Sequence, residues 1–543
     1  MNDELALLKS WLQEVAACLQ ENQDPGIDFY EIWLEQPNRV LTLVDLIDSF
    51  ADQELDEHEN EYSACIVAVD ICVANLQSAL ENGQKTAERL LERLMKKLAD
   101  KMLEKQHDLS FWMPILNSFY DAQVPLCQEL RDAYLMLASE MDVEGEPEDV
   151  LQNIRNMIQE LSHHNLYEIA EHIFAQSNVM PPEFFAELLF DLFLLEEGQD
   201  IALLSLMHPN PEVRDVALEV IDQVLPDMVL SNAALSRMQA ISYWYPEDIQ
   251  YKFKQWIKAQ RRQGVVFARP PHAHQISFRA CEIDGTGTQG IVMRMKYQKK
   301  PLVAGMLFKK GIGIKDVWVS PVENSTQADQ QFKHLFGDDL YAREVDVRYF
   351  EQMTNHFLYE TLSSGQMPDL QLLYVQELLG IQFRPQCIEV SALIEEISVQ
   401  IHPFTPEIIA DALKKSSRWM KNAAFAHNWF EENSEIDVEV NQCCTIEKGT
   451  KYCDLNHATE RIFKHIFSHE QEKWRFHFLW NALFLRSKAR AQERSWRDCF
   501  LIAYFIDQGG ALDDIPIMQG IAQRTVINSM ETMMGRGTYL SQL

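Results

Sequence analysis

The stretch HQISFRACEIDGTGTQGIVMRMKYQKKPLVAGMLFKKGIGIKDVWVSP, residues 274–321, decides how this chain is read. Its apolar residues alternate or come in short runs, and glycine-bearing turns divide the runs. That pattern predicts strands near 275–283, 290–297, 302–308 and 315–319. Connections of about two to six residues imply an antiparallel meander. So few short strands cannot stand alone as a sandwich, so the sheet is expected to pack on helices.

On either side the period is helical. Leu5, Leu8, Leu12 and Val15 share one face near the start, and Leu90, Leu91, Leu94 and Leu98 recur among Glu and Lys further on. Proline-bearing breaks stand at NQDPGID (22–28), EGEPED (144–149), VMPPEF (179–184), MHPNPE (207–212) and WYPEDI (244–249). Each offers acidic or amide residues suited to capping the next helix. Short connections favour antiparallel neighbours, so the helices should stack as hairpins. Helix resumes near Thr326 and is expected through DDLYAREVDVRYFEQ (338–352) and across the last hundred residues. The expected fold class is mainly α: a helical-hairpin, α-solenoid-like array with a small inserted antiparallel β-sheet and a C-terminal helical region. The expected divisions are 1–262, 263–325 and 326–543.

One segment is more specific. In LLSLMHPNPEVRDVALEVIDQVLP, Asn210 and Pro211 open a helix whose Val213, Ala217, Val220, Ile221 and Val224 line one face. Through Asn210-Pro211-x-Val213-Arg214 followed by Ala217, residues 201–225 resemble the second helix of a HEAT-type repeat. The resemblance implies an α-solenoid-like stack and carries no activity with it.

The 543 residues carry a formal net charge of −34, which argues against a protein that coats nucleic acid or an anionic membrane over its whole surface. The charge is uneven. Residues 1–150 are strongly acidic, whereas between Lys252 and Lys315 basic side chains far outnumber acidic ones. The N-terminal MNDELALLKSWLQEV has neither the basic start nor the unbroken apolar core of a signal peptide. FFAELLFDLFLL (184–195) is interrupted by Glu187 and Asp191, so it reads as a buried helix and no membrane association is expected. Ten scattered cysteines without an export signal point to reduced thiols and a cytoplasmic location.

The basic residues of the β segment are the first candidate site: Arg279, Arg294, Lys296, Lys299, Lys300, Lys309, Lys310 and Lys315. Alternation puts Arg294 and Lys296 on one face and Met293 and Met295 on the other, so a basic strand face could meet the phosphates of a nucleic acid or nucleotide. GTGTQG (285–290) matches a dinucleotide-binding pattern, but a strand rather than a helix follows it, and it is expected to be a hairpin turn. In CCTIEKGTKYCDLNH (443–457), Cys453 and His457 lie one helical turn apart and form half of a conceivable zinc site. His164, Glu168 and His172, and His465 with His469, share helical faces and are expected to make interhelical or surface hydrogen bonds. No cofactor is expected.

These observations favour a non-enzymatic protein-binding scaffold or adaptor that presents an acidic helical-repeat surface to a protein partner. The alternative is nucleic-acid or phosphate-ligand binding through the basic β module, and a second alternative is a metal-dependent enzyme using the Cys/His pair or the His/Glu helices.

Overall fold

A computed structural model describes residues 2–20, 32–33, 36–50, 59–81, 84–122, 124–141, 147–177, 182–268, 271–337, 340–401, 405–447, 450–489 and 494–540. The break expected at 22–28 lies outside these residues, as do 144–146 and 179–181 of two others. The chain forms two compact units, Met1–Asp227 and Met228–Leu543. It is mainly α-helical with an inserted antiparallel sheet.

The first unit contains α1 (Asn2–Gln20), α2 (Arg39–Asp48), α3 (Glu59–Glu81), α4 (Lys85–Leu103), α5 (Leu109–Asp121), α6 (Gln128–Met141), α7 (Pro147–Glu160), α8 (Leu166–Ser177), α9 (Pro182–Leu194), α10 (Gln199–Leu204) and α11 (Pro211–Val224). Helices two apart in order pack together: α1 on α3, α2 on α4, α3 on α5, α4 on α6, α8 on α10 and α9 on α11. This succession is what stacked helical hairpins produce. In α4 the buried residues Ala87, Leu90, Leu91, Leu94, Met95, Leu98, Ala99 and Met102 follow the 3.6-residue period. Leu103 falls off that stripe and is exposed. Trp11, Trp33, Phe111 and Trp112 anchor the core of α1–α6. Residues Asn60–Glu81 of α3 are long and apolar enough to cross a membrane, yet Cys65, Ala68, Val69, Cys72 and Val73 of that helix are buried in this core. At α11, the Asn210 side chain accepts from Glu212 N at 2.9 Å, Pro211 fills the first turn, and Val213, Ala217, Val220 and Ile221 are buried.

The second unit begins with α12 (Asn232–Ser242) and α13 (Glu247–Arg262), so the boundary expected at 262 falls inside it. Arg237 on α12 is paired with Glu377 at 2.9 Å, and the indole of Trp244, in the connection between the two helices, donates to Phe383 O at 3.2 Å, tying α12 and that connection to later parts of the unit. The sheet follows as β1 (His274–Cys281), β2 (Thr288–Tyr297), β3 (Lys300–Lys309) and β4 (Gly313–Pro321). After α14 (Ser325–His334) a fifth strand, β5 (Ala342–Val345), pairs with β1, and the order is β4-β3-β2-β1-β5. The helix expected from residue 338 therefore starts only at α15 (Val347–Ser363), where Asp346 caps by accepting from Tyr349 N. The four-residue segment is drawn into edge pairing that its own pattern does not announce.

One face of the sheet packs on α15 and on α16 (Leu370–Leu379): Phe278 stacks on Phe350 at 4.6 Å and Phe308 on Phe357 at 4.9 Å. Met293 and Met295 are buried on this side. The other face carries Val292 and Val303, which meet Ala328 and Phe332 of α14. Gly305 lies beneath Trp318, whose ring stands 2.4 Å from where a Cβ would be. The chain continues through α17 (Val390–Ile401), α18 (Pro406–Ser416), α19 (Trp419–Asn422) and α20 (Ser434–Asn441), the hairpin β6 (Cys444–Glu447) and β7 (Thr450–Cys453), and then α21 (Leu455–His465), α22 (Gln471–Arg486), α23 (Ser495–Asp507) and α24 (Pro516–Leu540). The β6–β7 hairpin corrects the wholly helical expectation for this region. Trp480 of α22 donates to the Tyr349 hydroxyl, which donates to Gln289 of β2 at 2.6 Å, so a buried polar chain joins sheet and C-terminal helices.

Candidate binding surfaces

The eight basic residues of the β segment meet different fates. Arg294 is ion-paired with Asp329 of α14, and its guanidinium lies 4.9 Å from the centre of the Phe332 ring. Lys310 pairs with Glu360 of α15 and stands over Phe476. Lys309 and Lys315 are engaged with neighbouring groups. Arg279 is half-buried, its Nε without a hydrogen-bond partner among the described residues. Lys296, Lys299 and Lys300 have no carboxylate partner among the described residues. The last two sit at the β2–β3 turn, where Gln298 and Lys299 both take positive φ. A recess of about 360 Å³ opens beside Ser277, Arg294, Lys296 and Ser325, but Asp329 also lines it and offsets its charge. The strand face predicted to be basic is thus partly neutralised from within.

GTGTQG is a hairpin turn. Asp284 accepts from the Thr286 hydroxyl at 2.7 Å and from Thr288 N at 2.9 Å, and Gly287 supplies a φ of +80°. Gly285 lies against the Phe430 backbone, where a Cβ would sit 2.2 Å from the carbonyl oxygen. Glu282 beside this turn is buried. Desolvation pushes its carboxyl up to about 7 against the opposing pull of the Asn428 amide.

Cys453 does not offer a thiolate to His457. It lies opposite Cys444 in the β6–β7 hairpin and is joined to it by a disulfide, a departure from uniformly reduced thiols. His457 is exposed, and its backbone N–H donates to the Asp454 cap. Gly449, whose freedom would let the chain turn between Cys444 and Cys453, lies outside the described residues. Among the described residues no group of three or more His, Cys, Asp or Glu side chains could hold a metal ion. His164 bonds Glu168 at 3.0 Å and His465 pairs with Glu439 at 3.2 Å.

A basic concavity lies elsewhere, between α12 and α13. The apolar stripe Phe253 and Trp256, continued by buried Gln260, sets the inward face of α13. Gln260 spans the start of the unit: its Oε1 accepts from Leu230 N at 2.8 Å and its Nε2 donates to Met228 O at 2.9 Å. Gly264, at φ +97°, ends α13, with Val265 N reaching back to Gln260 O. The following chain returns along α12, Val266 N bonding the Asn232 side chain and Ala268 N the Ser236 hydroxyl. So held, the two helices flank an open groove of about 500 Å³. Lys254, Lys258, Arg261 and Arg262 line one wall, and Gln239, Ser242 and Tyr243 the other. No carboxylate lines it. None of these cations has a carboxylate partner among the described residues. A further guanidinium, that of Arg384, stacks 4.6 Å from the Tyr243 ring centre. In the sequence α13 stands at the head of the basic stretch, whereas the candidates expected from that stretch are confined to the strands. The signal passed over is four cations at helical spacing.

Fold and surfaces define a mainly α-helical chain that carries an inserted five-stranded sheet and a basic groove. Residues 181–264 match the family model described as the Y4lR second domain, and residues 391–530 match that of the Y4lR C-terminal helical domain. The first match takes in both groove helices. The chain is 25% identical over 280 residues to the uncharacterized protein y4lR of Sinorhizobium fredii (strain NBRC 101917 / NGR234), an alignment covering 50% of each chain. The chain therefore spans about half the length of the curated relative it matches. No solved structure matches it.

Proposed function

We propose that this chain is a non-enzymatic binding protein whose second unit holds a phosphate-bearing partner in the α12–α13 groove. One observation carries the reading: in a chain of net charge −34, four cations without a carboxylate partner among the described residues line one groove with no carboxylate in its wall, the Arg261 guanidinium standing 5.6 Å from the Phe267 ring centre. Such a concentration of like charge costs self-repulsion and is relieved by an anion. Titrating the full chain with inorganic polyphosphate should give saturable binding that weakens steeply with salt. Binding that is absent, or indifferent to salt, refutes the reading.

A second reading, a protein-binding scaffold, rests on α9 in the first unit. Phe184 (56% exposed) and Leu194 (71% exposed) share its outer face with Glu187 and Asp191. An acidic face with two apolar knobs suits a basic, apolar partner. The HEAT-type resemblance of residues 201–225 and the stacked hairpins support it. A partner isolated with the native chain should be lost on Phe184→Glu with Leu194→Glu. Retention of that partner by the doubly substituted, folded chain refutes this reading.

A further inference from the structure

We infer that the ligand of the α12–α13 groove is single-stranded nucleic acid, a step that rests on the phosphate-binding reading above. Three features narrow the class. First, the cations are spread rather than convergent. On a helix of 3.6 residues per turn, Tyr251, Lys254, Lys258, Arg261 and Arg262 fall within an arc of about 100°. Lys254 and Arg262 are about 12 Å apart along the axis, with Lys258 midway. A lone phosphate, as on a phosphopeptide, is best held by cations that converge on one point. A row of cations instead suits a chain of phosphates. The helix macrodipole accounts for Arg261 and Arg262 in the last turn but not for Lys254 and Lys258.

Second, aromatic rings flank the row. Tyr243 lines the groove with Arg384 stacked on it, and Tyr251 is 64% exposed on the cationic stripe. Inorganic polyphosphate has no use for a ring, whereas an unpaired base stacks on tyrosine and on a guanidinium plane alike. Third, the opposite wall carries Gln239, whose amide can meet the edges of unstacked bases, while the buried Ser242 hydroxyl donates to Gln239 O at 2.7 Å. In a duplex those bases are stacked and paired, so the rings and the polar wall would stay unused.

The test uses the full chain and four probes: fluorescein-labelled twelve-residue oligo(dT) and oligo(U), a labelled duplex of the same length, and inorganic polyphosphate. Fluorescence anisotropy across a salt series should show both single strands bound more tightly than duplex. The log–log salt slope should be about −2.8 for four single-strand phosphate contacts. Lys254→Gln with Lys258→Gln should halve that slope, to about −1.4. Tyr243→Ala should weaken the single strands by about fivefold to a hundredfold and leave polyphosphate unchanged, while Tyr243→Phe restores them. If polyphosphate binds but the single strands gain nothing from Tyr243, or if duplex is preferred, this inference is overturned and the phosphate-binding reading stands. If no probe binds, both fall.

Discussion

Acidification should expose a hidden strain at His208. This residue is wholly buried, packed against Phe174 at 5.2 Å and Phe185 at 5.4 Å between ring centres. Its Nδ1 accepts from Asn210 N at 3.1 Å, and the Arg214 guanidinium donates to its carbonyl oxygen at 2.7 Å. Desolvation, helped by the Arg214 charge, pushes the imidazole down from 6.5 to about 3. The folded side chain is therefore neutral where the unfolded one binds a proton. Its contribution is complete above pH 6.5 and is lost as pH falls from there toward 3. Between pH 7 and pH 5 the loss is about 1.5 pH units, or about 2 kcal/mol. His208→Asn keeps an acceptor and removes the titration. Urea unfolding of the first-unit transition should find wild type ahead of the variant by about 2 kcal/mol less at pH 5 than at pH 7. The comparison cancels what both proteins share, including His172, also depressed, and Asp121, which burial and Asp70 push up to about 6. A gap between the two proteins that does not change with pH would refute the burial argument.

Gly305→Ala should destabilise by about 1–3 kcal/mol in guanidinium unfolding, because the new methyl forces the Trp318 ring off the strand. Gln298→Asn with Lys299→Gly should instead stabilise by about 1 kcal/mol, since both positions hold positive φ in a two-residue turn that favours that pair. Alkylation of the denatured chain without reductant should label eight cysteines, rising to ten after reduction, as the Cys444–Cys453 pairing requires. Cys444→Ser should cost about 2–3 kcal/mol, the closure entropy of a loop of about ten residues, read as an earlier unfolding transition of the second unit.

Helix faces and the presence of a sheet were legible because burial imposes a period. Ala87 to Met102 and Val213 to Ile221 follow 3.6, and β2 alternates so that Met293 and Met295 turn inward while Arg294 and Lys296 do not. Short elements were not legible. Four residues of β5 or β6 contain too few alternations to outvote their helical surroundings, and pairing with β1 or closure by Cys444 and Cys453 decides them from a distance. The fate of the strand cations was hidden for the same reason. Arg294 finds Asp329 and Lys310 finds Glu360, 35 and 50 residues on, and a local pattern says which face a cation takes but not what meets it there. The groove is the converse case. Lys254, Lys258, Arg261 and Arg262 form one legible stripe, but only α12 and the returning chain after Gly264 turn that stripe into a wall.

Charge and fold then bear on each other. A chain of net charge −34 repels any polyanion at long range, yet that repulsion is screened beyond about 8 Å at physiological ionic strength. A phosphate seated directly against the cation row lies within that distance. On the binding reading proposed above, the excess of acidic side chains would work as a filter. Anions that cannot reach the cation row are turned away, while a slender, flexible strand can enter the groove and place several phosphates against it at once. Selectivity of this kind needs no base-specific hydrogen bond. On that reading it would follow from concentrating cations in one concavity and aromatic rings at its edge.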